Sequence, residues 1–222
     1  MMTPMRRLTW MMPGLVATST LLSVSQLAHL CGVIRQSKSL TEIDLSCSSI
    51  GNKESIAIAE AINQSESRFR LLSVDFSEND VHWKGAVAIT ETLKQSTSLR
   101  AVFLSNNPIG DVGVSAIARA IQQLESFTIL DLCGTEFGDP SADAIATIAE
   151  AIRKSTHLTT LKLGGNDLGD VGVVAVADAI KQSISLRDVE LWGDYARKCR
   201  CGRHSKCHLA EQIIGHGGCQ HE

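Results

Sequence analysis

The chain has 222 residues, a formal net charge of −3 and 44% hydrophobic residues, enough for a folded domain with a continuous core. Its 21 basic and 24 acidic residues exclude a histone-like polycation, and 4% aromatics leave little for a base-stacking surface. No nucleic-acid partner is expected.

The N-terminus offers two readings. Arg6 and Arg7 precede an uncharged stretch from Leu8 to Ala28, and the first acidic residue is Glu42. Residues 1–26 therefore read as a targeting or signal segment, or as a degenerate N-terminal cap of a repeat array. Pro13, Gly14 and many Ser and Thr residues interrupt the apolar run, so no membrane span is expected. Leu30 and Ile34 occupy the helical positions of a first unit, and Met12, Leu15, Ala17 and Leu22 read as its damaged strand.

From there the chain repeats. Segments beginning at Leu40, Leu71, Leu99, Phe127, Leu158 and Leu186 are spaced by 28 residues (71 to 99, 99 to 127, 158 to 186) or 31 (40 to 71, 127 to 158). Apolar residues recur three and five positions after each start, as in Leu99, Val102 and Leu104. That alternation predicts a short strand. The second half of each unit switches to helical spacing: Ile58/Ile62, Ile89/Leu93, Ile117/Ile121, Ile148/Ile152 and Val176/Ile180 each lie four apart. About six strand–helix units are predicted.

Three further features recur. Asn79, Asn107 and Asn166 stand eight residues after a start, with Ser48, Thr135 and Asp194 in their place elsewhere. Their amides suit hydrogen bonding to the loop backbones of adjacent units. Gly85, Gly113 and Gly172 share one offset, where a helix start packs close to the turn, and Glu54 stands there instead in the unit from Leu40. Asp111 and Asp170 are expected just before their helices, at the positive dipole end. The two three-residue excesses fall within Asn63–Arg70 and within Gly138–Asp143.

The unit SLRAVFLSNNPIGDVGVSAIARAIQQ (98–123) resembles a leucine-rich repeat of the ribonuclease-inhibitor-like subtype, which also occurs in NOD-like receptors and Ran GTPase-activating proteins. The resemblance covers residues 27–194. It implies an α/β solenoid, a short horseshoe arc with parallel strands on the concave side and helices on the convex side. A Cys/His-rich basic tail, residues 195–222, follows.

In such strands the residues between the apolar markers face the concave surface. The central row is Asp44, Asp75, Phe103, Asp131, Lys162 and Glu190, with Ile129 and Trp192 on the flanking rows. This mostly acidic face with an apolar island suits a protein partner with a basic surface. The expected function is a non-enzymatic protein-interaction module. A GTPase-activating protein of the Ran type is the alternative, although the strand-to-helix loops contain no arginine.

No P-loop, dinucleotide fingerprint or nucleophile elbow is present, and no cofactor is expected. Cys199, Cys201, Cys207, His208 and Cys219 are zinc-ligand types, but their irregular spacing argues against a site. A zinc-containing adaptor is the reading that such a site would support. Cys31, Cys47 and Cys133, scattered through apolar segments, read as buried free thiols, and the expected compartment is cytoplasmic.

Overall fold

The computed structural model describes residues 5–10, 22–138 and 143–191. Strands and helices alternate: β1 (Arg7–Thr9), α1 (Val24–Gln36), β2 (Glu42–Asp44), α2 (Asn52–Gln64), β3 (Ser73–Asp75), α3 (Trp83–Leu93), β4 (Ala101–Phe103), α4 (Gly110–Ile121), β5 (Ile129–Asp131), α5 (Ala144–Lys154), β6 (Thr160–Lys162), α6 (Gly169–Gln182) and β7 (Asp188–Glu190). The seven strands form one parallel sheet in chain order. Each helix packs on the helix of the next unit. Parallel strands sit about 4.8 Å apart, whereas packed helices need about 8–10 Å, so the stack bends with its strands on the inner side. The fold is a leucine-rich repeat solenoid.

The core runs between the two layers. Ile43, Val74, Val102, Leu130 and Leu161 point inward from the strands, and Ile58, Ile89, Ile117, Ile148 and Val176 meet them from the helices, all buried. The buried asparagines are paired. The Asn107 amide donates to the carbonyls of Phe76, Leu104 and Ser105 and accepts from the Val81 amide at 2.9 Å. Asn79 bridges Leu45, Phe76, Ser77, Ser48 and Ile50 in the same way. Asn166 ties Leu132 and Leu163 to Thr135. Each asparagine joins two consecutive turns through otherwise buried backbone groups, so the polar ladder is part of the core.

The sheet starts earlier than expected. A first strand forms at Arg7–Thr9; Met12, Leu15 and Ala17, expected as its damaged strand, lie outside the described residues. Leu8 pairs in register with Ile43 and is buried between exposed neighbours. One inward residue suffices for a strand this short, a signal too weak for periodicity to register.

The first excess forms a 3₁₀ turn, Glu66–Arg70. Its Ser67 hydroxyl is buried, donating to the Ser37 carbonyl and accepting from the Leu40 amide. Glu54, in place of the recurrent glycine, accepts a hydrogen bond from the Gly51 amide at 3.1 Å. The glycines themselves are close-approach positions: a Cβ on Gly113 would lie 2.3 Å from the Ile109 side chain and 3.1 Å from the Trp83 Cα. Asp111 and Asp170 lie inside the first turns of α4 and α6 rather than before them. The Asp111 carboxylate accepts from the Gly138 amide of the next unit at 3.0 Å, so its partner is across the stack and not on its own helix.

Candidate protein-interaction face

The parallel register aligns side chains of successive units into rows. Asp44, Asp75, Phe103, Asp131, Lys162 and Glu190 are consecutive partners across β2 to β7. Glu42, Ser73, Ala101, Ile129, Thr160 and Asp188 make the row beside it. Phe103 thus has Asp75 on one side and Asp131 on the other, with Ile129 diagonally next on β5. Phe103 and Ile129 are half-buried and Ala101 is buried. Trp192 lies outside the described residues, as do Cys199, Cys201, Cys207, His208 and Cys219.

The carboxylates of the central row also hold the backbone. Asp44 accepts from the Ser46 amide and hydroxyl, Asp75 from the Ser77 amide at 2.8 Å, and Asp131 from the Cys133 amide at 3.1 Å. Each aspartate therefore caps the turn that leaves its own strand, two residues on. The acidic row is partly a consequence of turn chemistry, a role that sequence reasoning missed. The alternation of apolar markers marks those positions as outward and says nothing about their bonds.

Charge is compensated at both ends of the row. Arg7 of β1 reaches Glu42 at 3.6 Å and Asp44 at 3.4 Å. Lys162 meets Glu190 at 3.3 Å. Burial alone would push the Lys162 ammonium down, but the bond to Glu190 and the nearby Asp131 outweigh it, and its pKa is raised. Among the described residues no cation forms an ion pair with Asp75 or Asp131. In the central row, the carboxylates without such a pair are the two beside Phe103.

Cys133 sits at the edge of this face. Burial, with Asp131 adding to it, pushes its thiol up to about 12, so the sulfur stays protonated. Cys31 is also buried, but Cys47 is exposed, contrary to expectation. Cys47 occupies a left-handed turn position (φ 51°) and its thiol donates to Glu78 at 3.2 Å. The same offset is left-handed in every later complete unit, at Glu78, Asn106, Gly134 and Gly165. A turn that reverses the chain direction there turns its side chain out of the core, whatever the hydrophobicity of that side chain.

At the strand-to-helix rim a groove of about 970 Å³ is lined by Asp111, Glu136, Asp167 and Asp170 among others, with no histidine, cysteine or lysine among its described lining residues. Among the described residues, no group of three or more His, Cys, Asp or Glu is placed to hold a metal ion, and no helix is long and apolar enough to cross a membrane.

Comparison with known proteins agrees with this architecture. The leucine-rich repeat family profile matches residues 95–118 and 154–177. No curated protein sequence matches the chain. Among solved structures, the C-terminal domain of tropomodulin from Caenorhabditis elegans is similar, with a TM-score of 0.57, 14% identity, and coverage of 70% of this chain and 92% of that one. The actin-binding site 2 domain of leiomodin-1 is also similar, with a TM-score of 0.52, 21% identity, and coverage of 72% and 89%. At such identities the likeness is one of fold.

Proposed function

We propose that this leucine-rich repeat chain is a non-enzymatic interaction module that binds a protein partner on its concave face, with Phe103 as anchor. The observation that carries this reading is the middle of the central row. There an aromatic ring, half-exposed on a strand, lies between Asp75 and Asp131, the two carboxylates of the central row without an ion-pair partner among the described residues, with Ile129 diagonal to it. An apolar anchor ringed by charge is the arrangement in which a few residues dominate binding. The remaining described members, Asp44, Lys162 and Glu190, make the rim. A partner with a basic surface is favoured, because it would supply the counter-charge that Asp75 and Asp131 lack.

We read the repeats as the ribonuclease-inhibitor-like subtype, because units of 28 or 31 residues carry full helices of 11 to 14 residues in α2 to α6. The free thiols of Cys31, Cys47 and Cys133 suit a reducing, cytoplasmic setting. Neither the Ran-type GTPase-activating alternative nor the zinc-adaptor alternative has an observation of its own in its favour.

The test begins with affinity capture by the full chain. Actin, the ligand of the similar leiomodin-1 domain, is the first defined bait. With a partner in hand, Phe103→Ala is expected to weaken binding by about 2 kcal/mol or more, mainly through faster dissociation. Asp75→Lys is expected to slow association and flatten its salt dependence. Parent-like binding by Phe103→Ala, with loss of binding on substitution of exposed convex residues such as Arg119 or Glu150, would place the interface on the other side.

A further inference from the structure

The loop charges are segregated between the two sides of the arc. The side where strands end and helices begin carries Glu78, Asp80, Asp111, Glu136, Asp167 and Asp170, against Lys53 and Lys84. The side where strands begin carries Arg6, Lys38, Arg68, Arg70, Arg100 and Arg187, against Glu66 and Glu125. Helix ends explain part of this, since bases suit helix C-termini. Lys94, Lys154 and Lys181 stand there and pair with Glu91, Glu150 and Asp178. Arg6, Arg70, Arg100 and Arg187 lie outside the α-helices, are exposed, and form no ion pair among the described residues. Of the two acids on this side, Glu66 is held by Lys38 at 3.5 Å.

The same side bears exposed apolar tips. Phe69, in the 3₁₀ turn of the first excess, is 48% exposed, with the Arg68 guanidinium 4.1 Å over its ring. Ile184, at the same repeat offset four units on, is 84% exposed. Met5 is exposed as well, and its carbonyl accepts from the Ser39 hydroxyl at 2.7 Å. The Ser98 hydroxyl donates to the Phe69 carbonyl at 2.7 Å, and that of Ser126 to the Thr97 carbonyl at 3.2 Å. The tips of successive units are thereby tied into one line.

Constant register keeps these tips at one end of every strand. The stack bends across its strands, so the strand ends lie along a flat side of the arc and can meet a plane together. A protein interface gathers its apolar anchors at one desolvated centre, whereas charged and polar tips separate Phe69 from Ile184. A polynucleotide offers the aliphatic Met5 and Ile184 nothing to stack on. A bilayer takes apolar tips wherever they fall and presents anionic headgroups to the arginines between them.

We propose that this side of the arc docks on an anionic bilayer surface. Arg6, Arg70, Arg100 and Arg187 meet the headgroup anions, and Phe69 and Ile184 enter the headgroup layer. The concave face then stands across the bilayer plane, so membrane and protein partner are engaged by different surfaces.

Co-sedimentation of the full chain with lipid vesicles tests this. Binding to phosphatidylcholine vesicles with about 30% phosphatidylserine is expected to be at least tenfold tighter than to phosphatidylcholine alone, and to weaken as salt is raised. Arg70→Glu with Arg100→Glu is expected to weaken it at least tenfold, the milder Arg70→Gln with Arg100→Gln at least threefold, and Phe69→Ala at least threefold, with thermal melts like the parent's. Lys53→Glu with Lys84→Glu on the opposite side, and Phe103→Ala on the concave face, are expected to bind vesicles like the parent. No preference for phosphatidylserine in the parent, or full binding after the Arg70 and Arg100 reversals, would overturn the proposal. So would tighter binding to single-stranded polyuridylate that Phe69→Ala leaves unchanged, because this side would then be a polynucleotide site.

Discussion

Asn107 shows a polar side chain built into an apolar core. Its amide group serves three carbonyls and one backbone N–H from two consecutive turns. Removing it leaves several buried backbone groups unpaired, and each such group costs about 1–3 kcal/mol less whatever relaxation recovers. Asn107→Ala is therefore expected to destabilise by about 3 kcal/mol in chemical denaturation. The adjacent Asn106 supplies the contrast. It is exposed and left-handed (φ 55°), a conformation that glycine adopts without strain. Asn106→Gly is expected to stay within about 0.5 kcal/mol of the parent. The eight-residue offset made Asn107 legible in the sequence. The hydrogen bonds of Asp44, Asp75 and Asp131 were not legible, because an outward aspartate looks the same whether it caps a turn or only meets water.

Among the helices, glycine has opposite meanings in different units. Gly113, in the first turn of α4, is where the Ile109 side chain and the Trp83 backbone close in. Gly113→Ala must push those groups apart, and overpacking of that kind costs about 1–3 kcal/mol, more than helix propensity returns. Gly32, in the middle of α1, has open space around it: a Cβ there would meet nothing within 4 Å. Gly32→Ala removes backbone entropy from the unfolded chain without strain and is expected to stabilise by about 0.5–1 kcal/mol. Thermal melts of the two variants, moving in opposite directions, check both statements. Both glycines sit in helices by sequence, and only the packing of α3 on α4 distinguishes them.

For the whole molecule, stability is distributed along one axis. Each unit contacts its neighbours, so a central unit is held from both sides and a terminal one from one side. Strand amides of β3 to β5 are expected to be the slowest to exchange, with β1 at least about tenfold faster, in peptide-resolved hydrogen exchange. Uniform protection from β1 to β5 would mean that the stack opens only as a single block. The same linear order explains the electrostatics of the concave face. In the central row Arg7 compensates Asp44 and Lys162 compensates Glu190, which leaves Asp75 and Asp131 in the middle.

The sequence by itself determined the strand–helix alternation, the register and the membership of each row. These depend on which side chains face in or out, and periods of two and of about four encode that locally. The asparagine ladder was legible for the same reason, since its spacing matches the repeat. Only the tertiary structure decided that β1 is Arg7–Thr9, that Cys47 is exposed, that Asp111 serves Gly138, and that Arg7 neutralises Glu42 and Asp44. Each of these depends on a backbone conformation or on a partner a whole unit away. Hydrophobic periodicity records whether a side chain is inward or outward, and it carries no record of which atom of the neighbouring unit that side chain will meet.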